Sequence, residues 1–440
     1  FTGLVPFVWF TNQPSNSGLY QNMVEYNTQK NPGSLPADFG FNPNYRETLQ
    51  KYPSLFPSTP SEQAPDVIAY VDPKFKMPQV WRSNLNVDIQ LPYDFMLSVG
   101  AMYTRDIYNV AQINMNEAEP TGVYNEQPDR IYWASKKYEY NDYTNGKNVV
   151  VKLSNGEDKG YQYSFNAILT KKYDFGFTGS IGYTYTMAKD LTANPGSAPN
   201  SAWQNNVAVN SLNDPGVSYS LFSTPHRIIA NASYEINYAK CLKTTFSLFY
   251  SGYHTGRYSY TYYNDMNGDG NYSDLIYVPN SQDEMTFVDI TDKSGAITYS
   301  AVDQAKDFWD FVNNDSYLKD RKGKYVERNG SLTPWINRFD FKIAQDFYAT
   351  LGGRKYGIQV SLDMLNVGNM INSKWGAYQS CGLKSYDNVQ LLKTASKVGE
   401  PLTYQINANS REAFKERSSW QYTNTIGSAW SMQLGVKVTF

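Results

Sequence analysis

The chain has 440 residues, a formal net charge of −2, two cysteines, and 16% aromatic residues, 38 of them tyrosines. With a mean hydropathy of −0.55 and no run near the roughly 18 apolar residues a membrane helix needs, a helical membrane protein is excluded. The near-zero charge offers no electrostatic footprint for nucleic acid, and two cysteines are too few for a disulfide framework.

In chain order, the opening FTGLVPFVWF is apolar and strand-like, with no export signal before it, so the chain is read as a fragment whose natural start lies upstream. Val80 to Leu91 then alternates Trp81, Leu85, Val87, Ile89 and Leu91 against Arg82, Asn84, Asn86, Asp88 and Gln90. A strand shows alternate side chains to opposite faces, so this segment has one greasy and one wet side. It turns at Pro92 to Asp94 into Phe95 to Asp106, which alternates in the same way. Three more hairpins follow: Tyr161 to Lys171 with Phe175 to Met187, His226 to Ile236 with Thr244 to Gly252, and Trp335 to Phe347 with Tyr356 to Met364. The last strand, Trp430 to Phe440, places Trp430, Met432, Leu434, Val436, Val438 and Phe440 on one face.

Between the hairpins run polar connections of roughly 35 to 75 residues, far longer than compact soluble domains use. They are residues 11–79, 108–160, 190–224, 258–333 and 369–427, with turns expected at Asn213 to Gly216 and Asn264 to Gly270 and a helix at Val302 to Leu318. Tight turns at one end and long loops at the other are the polarity of a transmembrane antiparallel up-and-down β-barrel. The expected fold is therefore all-β, one partial outer-membrane barrel domain over residues 1–440, with about ten strands. The polar positions of the strands are expected to face the lumen: Arg82, Asp88, Arg227, Glu235, Arg338, Asp340, Lys342, Asp346, Gln359, Asp363, Gln433 and Lys437. Cys241 and Cys381 fall at opposite ends of this layout and are expected to be free thiols.

Residues Asp265, Asn267, Asp269, Asn271 and Asp274, with Gly270 at the sixth position, match the first half of an EF-hand loop and are candidate ligands for a structural calcium ion. The twelfth position is Ile276, so the bidentate glutamate is missing, and an ion-free turn rich in Asx residues and glycine is the competing reading. Tyr258, Tyr260, Tyr262 and Tyr263 read as an aromatic girdle carried into a loop, in preference to a ligand-stacking platform. The only histidines, His226 and His254, lack any catalytic spacing, so no enzyme activity is expected.

Three stretches resemble the Oar-like branch of the TonB-dependent outer-membrane transporters: TGLVPFVWFTNQPSNSG, SGYHTGRYSYTYYNDMNGDGNYSDLIYVP, and FVNNDSYLKDRKGKYVERNGSLTPWINRFDFKIAQDF. The third is the most specific, because a loop helix, Glu327 to Gly330, and Pro334 with Trp335 occur in order; Leu362 to Asn369 is similar to that family's penultimate strand. The resemblance implies a barrel of about 22 strands around a plug, of which this chain supplies the carboxyl-terminal part in the outer membrane of a Gram-negative bacterium, with loops extracellular and the carboxyl terminus periplasmic. It further implies TonB-powered uptake of a bulky peptide, glycan or chelate, with lipid, the protein's own plug and remaining strands, and a TonB-type energy coupler as partners. The alternative is a barrel subunit of a larger envelope or secretion complex that holds surface or periplasmic proteins through its loops.

Overall fold

The structure, a computed structural model, describes residues 26, 29, 31–56, 59, 67–140, 149–196, 198–239, 241–272, 274–381, 384–385, 388–407, 420–423 and 425–440. The opening strand expected at residues 1–10 lies outside the described residues.

The alternating segments form nine long strands: β1 (Gln79–Leu91), β2 (Phe95–Tyr108), β3 (Tyr161–Lys172), β4 (Phe177–Asp190), β5 (His226–Tyr238), β6 (Leu242–His254), β7 (Trp335–Leu351), β8 (Arg354–Leu365) and β9 (Ser431–Thr439). They pair in sequential order from β1 to β9, every neighbour antiparallel, and the short strand Ser218–Tyr219 adds itself beside β4. Among the described residues β1 and β9 are the two edges of this sheet. No described helix is long and apolar enough to cross a membrane.

Register decides which side chains share a face, because a slip of one residue would swap the two sides. One row runs from Asp88 through Ser98, Ile168, Gly182, Ile229 and Ser251 to Arg338. Another joins Lys342, Asp363 and Gln433. On the opposite face Leu85, Leu434 and Val436 are 68%, 72% and 67% exposed. A continuous sheet face of bare apolar side chains is what lipid covers and what water rejects.

Aromatic side chains bracket that apolar face. Near the short turns Tyr173, Phe175 and Phe177 cluster with Tyr234, and Lys171 Nζ lies 4.8 Å from the Tyr173 ring centroid. Near the long connections Trp81 meets Tyr103 edge-on at 6.0 Å, Tyr250 meets Phe339 at 4.9 Å, and His226 stacks beside Tyr183 and Tyr185. Phe177 and Tyr185, one in each band, are eight residues apart on β4, about 27 Å along a strand. Aromatic belts at that spacing sit at the two interfaces of a bilayer. His226 lies in the second of these bands, with Nδ1 2.7 Å from the Tyr183 hydroxyl.

The tight turn between β7 and β8 shows why the hairpins close where they do. Gly352 and Gly353 both have positive φ, 58° and 77°, a pair of conformations that two-residue hairpin turns demand and side chains resist.

Candidate functional site

All twelve charged and amide side chains singled out from the strands register on one face of the sheet. That face is a ladder of short-range polar pairs. Arg82 Nε donates to Thr104 at 3.1 Å and Ser98 to Asp88 at 2.5 Å. Lys243 bridges Glu235 at 3.3 Å and Asp346 at 3.5 Å, and Gln359 donates to Asp346 at 2.8 Å. Lys342 pairs with Asp363 at 2.7 Å and Arg338 with Asp340 at 3.3 Å. Arg227 lies over the Tyr253 ring at 5.6 Å.

The long connections all leave the same end of the sheet, and they fold together rather than separately. The strand Arg257–Tyr262, from the β6 to β7 connection, pairs antiparallel with Ser331–Leu332 and parallel with Asn388–Thr394 of the β8 to β9 connection. The strand Val67–Val71, ahead of β1, lies parallel to Val149–Ser154, which also pairs with Ala111–Asn114. Around the first of these sheets a hydrophobic core forms from Tyr258, Tyr260, Tyr262, Ile276, Phe308, Phe311, Leu391 and Leu392, among others, and Val149 and Val151 of the second sheet pack with Trp203, Ala208 and Leu212 in a smaller one. We refer to this assembly as the connecting body.

Two buried arginines tie the body together. Arg130 donates to the carbonyls of Val209 and Leu275, and its Nη1 stands 3.5 Å from Asp274 Oδ1. Arg328 donates to the carbonyl of Leu191 and, at 3.0 Å, to Asn206 Oδ1, while its Nη2 stands 3.5 Å from Asp190 Oδ1. Arg130 thus joins carbonyls of two connections and Arg328 ties its own connection to the β4 to β5 one, which the planar fork of donors suits. Gln127 Nε2 adds a third tie, donating to the hydroxyls of Tyr262 at 2.8 Å and Tyr404 at 2.9 Å.

The Asp265 to Asp274 loop is built on backbone amides. Asp265 accepts from Gly268 and Gly270 at 2.8 and 2.9 Å, Asn267 from Asp269 at 3.0 Å, Asp269 from Asn271 at 2.7 Å, and Asp274 from Met266 at 3.0 Å. Gly268 and Gly270 take positive φ of 83° and 94°, which the sharp reversals require. Among the described residues no three His, Cys, Asp or Glu side chains are arranged to hold a metal ion. Burial, reinforced by the charges of Asp274 and Asp265, holds the Asp269 carboxyl far above the usual carboxylate range. Asp274 is pushed up to about 7, by burial first and despite Arg130.

The tyrosine run is corrected. Tyr260 and Tyr262 are fully buried and Tyr258 is 3% exposed, so these three form neither a girdle nor a stacking platform, and only Tyr263 of the run is exposed. Strands flank them on both sides, and the Tyr260 hydroxyl donates to Asp315 at 2.7 Å. The loop helix spans Ala301–Asn314, capped by Ser300, and buries Gln304, Phe308, Phe311 and Val312. Val302, the first residue of the expected helix, is exposed. Cys241 and Cys381 are free of any disulfide. The residues that sequence reasoning missed are Arg130, Arg328 and Gln127, whose only signal was the GluArgAsnGly segment at 327–330 that accompanies Arg328.

Residues 7–377 match the family described as outer membrane beta barrel domain. No curated protein and no solved structure matches the chain.

Proposed function

We propose, for a chain that belongs to the outer membrane beta barrel domain family, that it is the lipid-embedded wall and the solute-gathering exterior of an active transporter powered by a TonB-type coupler. The cargo on this reading is a bulky solute that simple pores exclude. The connecting body faces outside the cell, the tight turns face the periplasm, and the polar face lines the lumen, where its charges hold a plug.

The observation that supports this reading best is the fusion of the connections into one body with its own core at a single end of the sheet. A barrel that merely spans lipid needs no such body, since ordering a loop costs roughly 1–2 kcal/mol per residue before any contact offsets it. A folded body at one end of a polar wall suits capture of a large ligand, and remote energy input then has something to release.

The test uses cells that lack the gene. Uptake of the solute should be restored by the full-length gene, and should collapse when the proton gradient is dissipated or when residues 258–333 are deleted. Cysteines placed at Ser294 and Gly352 test orientation, because only the former should react with a membrane-impermeant maleimide on intact cells. Labelling at Gly352 instead would overturn the assignment.

A further inference from the structure

Where the β2 to β3 connection meets the β4 to β5 connection, the body encloses a cleft of about 500 Å³. That volume is within the usual range for small-ligand sites. Its inner wall carries two amide side chains that are each only 6% exposed, Gln112 and Asn206. Gln112 commits its Nε2 to Asn194 at 2.6 Å, and Asn206 commits its Oδ1 to Arg328 at 3.0 Å. The complementary atoms, Gln112 Oε1 and Asn206 Nδ2, have no hydrogen-bond partner among the described residues. Both atoms open to the cleft, where a ligand that offers one donor and one acceptor can replace the water they bind.

The mouth has a different chemistry. Glu157, Asp158 and Asp214 line it and are exposed, and none makes an ion pair among the described residues. The lone lysine of the lining, Lys152, is offset by Asp72 at 3.8 Å. The cleft therefore presents net negative charge outside and one acceptor with one donor inside. A peptide group offers the matching N–H and C=O, and a basic side chain offers the matching charge. A glycan fits less well, because Trp203 is 2% exposed, turns its indole N–H to Asn213 at 3.0 Å, and leaves no aromatic face for a sugar ring.

We infer that this cleft binds a cationic peptide segment, its backbone amide held by Gln112 and Asn206 and its lysine or arginine side chain held at the rim by Glu157, Asp158 and Asp214. The inference rests on the reading of the connecting body as the capture side of a transporter, and it names the class of cargo or cargo tag.

Full-length protein in detergent, titrated calorimetrically with trilysine amide, trialanine, triglutamate and maltotriose, tests it. Trilysine should bind, and should weaken steeply with added salt. The exposed triple variant E157Q/D158N/D214N should lose tenfold or more in affinity while keeping the wild-type gel shift on boiling. Absence of trilysine binding, equal binding of trialanine, triglutamate or maltotriose, or an unchanged affinity in the triple variant overturns the assignment. Energised uptake is measured separately in cells, so a silent titration with uptake intact removes only the peptide site, and loss of energy dependence with binding intact removes only the transporter reading.

Discussion

Arg130 Nη1 stands 3.5 Å from Asp274 Oδ1, with both side chains removed from solvent, and the contact joins the β2 to β3 connection to the β6 to β7 connection. The same guanidinium lies 4.8 Å from the Tyr325 ring centroid. Removing one partner of such a pair strands the other in a low-dielectric interior, which costs about 3–5 kcal/mol. Arg130→Met should therefore loosen the connecting body, seen as rapid proteolysis within residues 108–160 and 258–333, while the sheet keeps its resistance to protease. The double variant R130M/D274N should recover only the share due to the stranded carboxyl, because the Val209 and Leu275 carbonyls remain without their donor. Equal protease resistance in R130M and wild type would show that the pair contributes nothing.

The Asp265, Asp269 and Asp274 carboxyls give the body a pH dependence of known sign. All three are raised by burial, so the folded body binds protons that the unfolded chain releases. Stability is then greatest below the unfolded carboxylate range near pH 4 and falls as pH climbs, through about 7, where Asp274 titrates, and on through the higher range in which Asp269 ionises. A carboxyl that titrates one pH unit higher in the folded body than in the unfolded chain accounts for ~1.4 kcal/mol of that fall. Protease resistance of the body should be higher at pH 5 than at pH 8. Repeating the comparison in about 1 mM calcium, the range of extracellular calcium modules, separates two outcomes. An ion shared by these carboxylates abolishes the slope, whereas a slope that persists assigns the loop to Asx turns alone.

The wall was legible from the sequence because a period of two is the whole of its physics. Trp81 to Leu91 on one side and Arg82 to Gln90 on the other need only a lipid and a wet side to be sorted. The connecting body obeys no period. Its strands are short, such as Ser331–Leu332 and Gln379–Cys381, and their partners lie at the far end of the same connection or, for Arg257–Tyr262 and Asn388–Thr394, on another one. The alternation of Tyr258, Tyr260 and Tyr262 imitated a wall strand, yet Ser259 and Thr261 are as buried as the tyrosines. A strand covered on both faces cannot be told from a half-exposed one by pattern alone. Arg130 and Arg328 were equally hidden, since nothing local distinguishes a buried arginine from a surface one.

Opposite faces of β9 should respond oppositely to charge. Leu434 lies on the bare apolar face opposite Leu362, and Lys437 lies on the polar face opposite Gln359. Leu434→Arg should destabilise folding into phospholipid vesicles by about 2–4 kcal/mol, the cost of a cation near the bilayer midplane. Lys437→Gln should change it by less than about 1 kcal/mol. The measurement is a urea titration of the fraction that shows folded gel mobility. Similar costs for the two variants would mean that the apolar face does not meet lipid.

Lys243 is the most connected cation of the polar face. It reaches Glu235 at 3.3 Å and Asp346 at 3.5 Å across three adjacent strands, β5, β6 and β7. Glu235 is half open to solvent and loses little when the lysine goes. Asp346 is 6% exposed, and its remaining partner is Gln359, which donates to Oδ1 at 2.8 Å. One neutral donor does not replace an ammonium at a buried carboxylate, so Lys243→Met should cost about 1–3 kcal/mol in the same vesicle titration. Asp346→Asn in the K243M background removes the stranded charge while keeping a side chain that Gln359 can still bond. That double variant should regain more than half of the loss, and Glu235→Gln in the same background should regain almost none. A recovery through Glu235 rather than Asp346 would place the energetic weight of the ladder on its solvent-facing member instead of its buried one.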